Sequence, residues 1–185
     1  MSCCEGEKRP SHIILASDSL GSFGDAFSTT ADHKLMADVD YQVYAAGADD
    51  LEHSADALQK IIRAIAALKE RTFGNLQEAV AYGTWDHRSA RFKYDVLPKF
   101  GIAPTDHWRT DAKKAGILDK LDKTFQKFQT HCCLIVSTFD KKGCGAQFLV
   151  SPEDGGWRTL WVLVLQRVRV LILPGLRVSR YYHIP

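Results

Sequence analysis

The chain first becomes periodic at His12-Ile13-Ile14-Leu15-Ala16-Ser17-Asp18, an apolar run that ends in small and polar residues and predicts a buried strand. A turn is expected through Gly21 and Gly24. Residues 34–36 and 41–47 are rich in β-formers, so they predict two more short strands joined near Asp38 to Asp40. Together the three strands predict a small antiparallel meander. After Gly47 the period lengthens: Leu51, Ala55, Leu58, Ile62 and Ile65 recur at helical spacing, predicting a helix over about residues 50–69 with Asp49 or Asp50 as its cap. A second helix is expected from Asn75, whose side chain would cap it, with Glu78 three residues on and Leu76, Ala79 and Val80 facing inward. Pro98, Gly101 and Pro104 then interrupt the chain. Ile117, Leu118, Leu121, Phe125 and Phe128 share one face of a third helix that ends near Thr130. Residues 133–139 and 147–150 are strand-like, and Asp140-Lys141-Lys142-Gly143 between them makes the charged tip of a hairpin.

Strands, then helices, then strands is the order of an α+β protein, an antiparallel sheet with helices packed on it, and not of a parallel βαβ repeat. At 185 residues, 45% hydrophobic and 25% charged, the chain is sized and composed for one globular core, which excludes disordered, fibrous and disulfide-dense readings. The net charge of +2 conceals an uneven distribution. Residues 157–185 hold Arg158, Arg167, Arg169, Arg177 and Arg180 and no acidic residue, leaving 19 basic against 22 acidic residues in the first 156. The chain thus divides into a body of net −3, residues 1–156, and an atypical Arg/Leu/Val-rich tail, residues 157–185. The tail's apolar run is interrupted by Gln166, Arg167 and Arg169, well short of the roughly 20 residues a bilayer requires, so no membrane partner is expected. Neither is a nucleic-acid partner. The polar stretch Met1 to Arg9 has no apolar segment of a secretory signal behind it, and a cytoplasmic location is expected.

The chemistry-bearing residues are few. Cys3-Cys4 and Cys132-Cys133 are vicinal pairs and Cys144 stands alone, so there is no C-x-x-C knuckle; no metal and no cofactor are expected. Asp32-His33, Asp86-His87 and Asp106-His107 are adjacent pairs whose side chains diverge on any regular element, and these histidines are read as solvated. No G-x-S-x-G, Walker A, G-x-G-x-x-G or H-E-x-x-H motif occurs. What remains is Ser2, which becomes terminal if Met1 is removed. Its hydroxyl and its own α-amine would then form a self-contained nucleophile and base. A buried Lys34 beside that amine would depress its pKa by like-charge repulsion, Asp18 would hold Lys34, and the backbone N–H of Gly47, at a strand end, would donate to an oxyanion.

These residue types, in this order, resemble a β-type subunit of the proteasome, and among such proteins the less-characterised bacterial relatives. The matching text is Ile13-Ile14-Leu15-Ala16-Ser17-Asp18-Ser19, His33-Lys34, Ala45-Ala46-Gly47-Ala48-Asp49, and Leu134-Ile135-Val136-Ser137-Thr138-Phe139-Asp140-Lys141-Lys142-Gly143, spanning about residues 12–155. Leu20 stands where the family usually has an arginine, and residues 82–114 form a longer stretch than in a standard subunit. The resemblance implies the αββα sandwich of the N-terminal-nucleophile hydrolases, here incomplete at both ends. It also implies hydrolysis of a peptide or amide substrate, assembly into a homo-oligomer, and family site residues that map onto Ser2, Asp18, Lys34 and Gly47. The alternative is a catalytically inactive structural subunit of a self-associating assembly.

Overall fold

A computed structural model of the chain describes residues 13–17, 20–23, 27–30, 35–130, 132–150, 161–162 and 180–184. In chain order the elements are β1 (Ile13–Ser17), β2 (Leu20–Phe23), β3 (Phe27–Thr30), β4 (Leu35–Asp38), β5 (Val43–Asp49), α1 (Leu51–Ala66) and α2 (Phe73–Asp95). A 3₁₀ turn at Leu97–Phe100, α3 (Trp108–Lys114), α4 (Leu118–Lys127), β6 (Cys132–Phe139), β7 (Gly145–Val150), β8 (Trp161–Val162) and β9 (Arg180–Ile184) follow. The protein is a mixed α+β structure.

The central sheet is antiparallel with strand order β4-β5-β6-β7-β8. Alternation sets its two faces. Val43 and Ala45 of β5, Cys132, Leu134 and Val136 of β6, and Ala146, Phe148 and Val150 of β7 are buried together with Ala57, Leu58, Ile61, Ile62 and Ile65 of α1 and Leu76, Ala79 and Val80 of α2. Each large aliphatic or aromatic side chain so buried contributes about 1.5–3 kcal/mol. The other face carries a smaller cluster, in which Leu15 of β1 meets Phe139, with Leu35, Tyr44 and Ala46 packed against them. Beside it, Gln147 donates from Nε2 to Ser137 Oγ across the β6–β7 pair at 3.1 Å.

Several expectations are corrected here. β1 does not join β4 and β5 in a meander; it pairs antiparallel with β9, Ile13 opposite Ile184 through Ser17 opposite Arg180, and packs on β4 and β5. Its Leu15 therefore serves a second layer, against Phe139. Gly21 lies within β2 rather than in a turn, because Leu20–Phe23 pairs with Phe27–Thr30 as a hairpin of its own. Ala55 is exposed, and the stripe that α1 buries is Ser54, Ala57, Leu58, Ile61, Ile62 and Ile65. The second helix is capped by Thr72, whose side chain accepts from the Asn75 N–H at 3.3 Å; Asn75 is inside the helix and donates its amide to Glu70 O at 2.8 Å.

That helix, α2, is 23 residues long. Its first half buries Leu76, Ala79 and Val80 against the sheet, and its last turns bury Phe92 in a second core with Leu97, Ile102, Trp108, Ala112 and Leu121. Two partners on two sides erase the single apolar stripe by which a helix is read. The helical segment built around this second core, residues 97–128, is held by buried Arg88 at the end of α4. Its Nε donates to Phe128 O at 2.9 Å and its Nη2 to Phe125 O and, at 3.1 Å, Gln126 O, while the guanidinium lies 4.7 Å from the Phe125 ring centroid. A cation at a helix C-terminus satisfies carbonyls that have no partner inside the helix.

The expected hairpin of β6 and β7 is present, with Phe139 opposite Gly145. Its charged tip is tied to the α1–α2 connection: the Lys141 N–H donates to Arg71 O at 2.9 Å and the Lys141 ammonium pairs with Glu70. Part of the tail also pairs, β8 along β7 and β9 along β1.

Candidate functional site

Of the four site residues expected from the sequence, Ser2, Asp18 and Lys34 lie outside the described residues; Gly47 lies within them. Gly47 sits inside β5, opposite Leu134 of β6, and not at a strand end. A Cβ there would meet Met36 Cε at 3.2 Å, Ser54 Cβ at 3.4 Å and Leu134 Cδ2 at 3.5 Å, so the position is tight, although its backbone is one that any residue can adopt. β1 ends at Ser17, the residue before Asp18, and β4 begins at Leu35, the residue after Lys34, which is opposite Ala46 of β5.

A second constellation lies between α1 and α2. The helices run closest where Gly83 meets Ile61: a Cβ on Gly83 would stand 2.5 Å from Ile61 Cα and 2.7 Å from its N. Toward the start of α1 and the end of α2 they enclose a groove of about 350 Å³ lined by Glu52, His53, Asp56, Lys60, Ala90, Arg91 and Tyr94. Asp50 caps α1 at this end, accepting from the His53 N–H at 3.0 Å, and that bond holds its carboxyl below the usual range. Lys60 pairs with Asp86 at 2.8 Å and Arg91 with Asp95 at 3.0 Å.

Beneath the groove is His87, 1% exposed, with Nδ1 2.8 Å from Asp56 Oδ2. A carboxylate only accepts, so Nδ1 carries the hydrogen and the neutral ring leaves a bare lone pair on Nε2. That Nε2 is buried and has no hydrogen-bond partner, as is His53 Nδ1, and the two rings meet edge to face with centroids 5.9 Å apart. Burial pushes the His87 pKa below its ordinary value near 6.5, against the opposing hydrogen bond and charge of Asp56; His53 and Lys60 push it the same way as burial. The reading of His87 as a solvated histidine is therefore overturned. Asp86 and His87 do diverge, one to Lys60 and the other to Asp56, but the direction His87 takes leads into the protein.

Asp56 and His87 are 31 residues apart, so no local motif announces them. The signal available was a polar row, His53, Asp56 and Lys60, at helical spacing beside the apolar stripe of α1. Among the described residues, no group of three or more His, Cys, Asp or Glu is placed to hold a metal ion, and no helix is long and apolar enough to cross a membrane. No protein-family model and no curated protein matches the chain.

Proposed function

We propose that the chain is an amide or peptide hydrolase of the N-terminal-nucleophile type, acting in the cytoplasm as a homo-oligomer. Supporting this reading is the stacking of β1, whose last residue precedes Asp18, on β4, whose first residue follows Lys34, and on β5, which carries Gly47. The packing of α1 and α2 on one face of the central sheet and of β1 on the other supports the αββα sandwich of this reading.

In the proposed mechanism Ser2 Oγ, exposed by loss of Met1, attacks the substrate carbonyl while its α-amine takes the hydroxyl proton. The Gly47 N–H donates to the oxyanion, and Lys34, held by Asp18, keeps the amine unprotonated by like-charge repulsion. Collapse of the tetrahedral intermediate breaks the C–N bond, the leaving amine takes the proton, and the Ser2 ester remains until water hydrolyses it.

One observation favours a second reading, a catalytically inactive structural subunit: α2 presents Tyr82 at 62% and Tyr94 at 65% exposure, with Trp85 beside Tyr82, aromatic surface of the kind that self-association buries. The intact mass of the chain, before and after incubation with an electrophilic peptide that traps N-terminal nucleophiles, separates the two. The hydrolase reading expects loss of Met1 and a single adduct that Ser2→Ala abolishes. Retention of Met1, or no adduct, leaves the structural subunit.

A further inference from the structure

Two imidazoles in contact, each with a buried nitrogen that bonds to nothing, are a costly arrangement between two packed helices. We propose that His53, Asp56 and His87 form a proton-operated latch between α1 and α2, closed when the His87 ring is neutral and released when that ring takes up a second proton.

The neutral state is tolerable because the Asp56 carboxylate accepts the Nδ1–H of His87 and the second nitrogen is only an unmet acceptor. A proton added to His87 must go to Nε2. There it creates a buried N–H donor with no acceptor, edge-on to the ring of His53. The surrounding charges do not rescue it. Asp56 already serves the other ring nitrogen, Glu52 on α1 lines the groove but is not among the charges that act on His87, Lys60 on α1 is cationic and engaged with Asp86, Arg91 on α2 is engaged with Asp95 and lies near Asp50, and Arg88 is turned away to the carbonyls of α4.

The closure point at Gly83 and Ile61 makes the response local. At that point the backbones of the two helices meet; toward the start of α1 and the end of α2 they enclose the groove, which is the part that widens on release.

Hydrogen exchange of the full chain, corrected for the pH dependence of intrinsic exchange, tests this between pH 7.5 and 5. The latch expects amides of residues 53–60 and 86–91 to lose protection at least tenfold as pH falls through and below the ordinary histidine range, while the β6 amides of Leu134 and Val136 hold. In His87→Phe, which fills the same space without a titrating nitrogen, the loss disappears. Unchanged protection in the wild type, an equal loss in His87→Phe, or parallel loss in β6 overturns the latch. If His87→Phe does not fold, the imidazole titration of wild-type His87 by NMR decides: its midpoint coincides with that of the exchange change if the latch exists, and differs from it if not.

Discussion

Asp50 is a single carboxylate that closes the junction between the sheet and the first helix. It accepts the His53 N–H, one of the amides at a helix start that have no partner within the helix, and it adds a negative charge where the helix dipole is positive. Replacing Asp50 with alanine is expected to lower stability by about 1 kcal/mol at neutral pH, read from urea denaturation. Because the folded carboxyl is held below its ordinary value of 3.8, its contribution is present above that pH and is lost as pH falls through the depressed value. The wild type and Asp50→Ala should therefore converge in acid. This cap was legible in the sequence, since an Asp directly before a helical stripe is a local signal. His87 was not, because its partner is an aspartate on another helix, 31 residues away.

At the scale of elements, two glycines with similar surroundings have different roles. Gly83 is where α1 and α2 touch backbone to backbone, and a methyl group there has no room to move Ile61. Gly47 faces the flexible end of Met36, which can give by the few tenths of an ångström required. Gly83→Ala should cost about 3 kcal/mol or more and Gly47→Ala under about 1, both measured by denaturant midpoint at constant m-value. Loss of activity without loss of stability in Gly47→Ala would then be a statement about the site.

The same scale explains which elements could be read in advance. α1, α4, β5 and β7 each have one more deeply buried face, so their periods are clean, while β6, buried on both faces in its second half, shows as a continuous strand-forming run. α2 changes partners midway, and α3 is seven residues long, too short for its two buried residues, Trp108 and Ala112, to make a pattern. The pairing of β1 with β9 joins opposite ends of the chain, which no local period encodes.

At the scale of the molecule, the described residues contain two separate helical cores, one between α1, α2 and the sheet and the other between the end of α2 and residues 97–128. Leu76 belongs to the first and Trp108, 5.8 Å from Phe92 between ring centroids, to the second. Leu76→Ala and Trp108→Ala should each cost about 3 kcal/mol, but with different reach. Hydrogen exchange is expected to show the loss spread across β5, β6 and both long helices in Leu76→Ala. In Trp108→Ala it should be confined to residues 97–127, with β6 unchanged. Protection lost equally everywhere in Trp108→Ala would mean that the two cores unfold as one.

Arg88 gives this division a further meaning. By gripping the carbonyls of Phe125, Gln126 and Phe128 from the second half of α2, it brings the far end of segment 97–128 back to the helix that precedes it. The segment is thus a closed cassette with its entrance and exit held by one side chain. Its outer rim, at Ala103 to Asp106, belongs to neither core and is tied to α2 by the Lys93–Asp106 ion pair, so a change of length there is expected to leave the sheet and the helix pair beneath it in place.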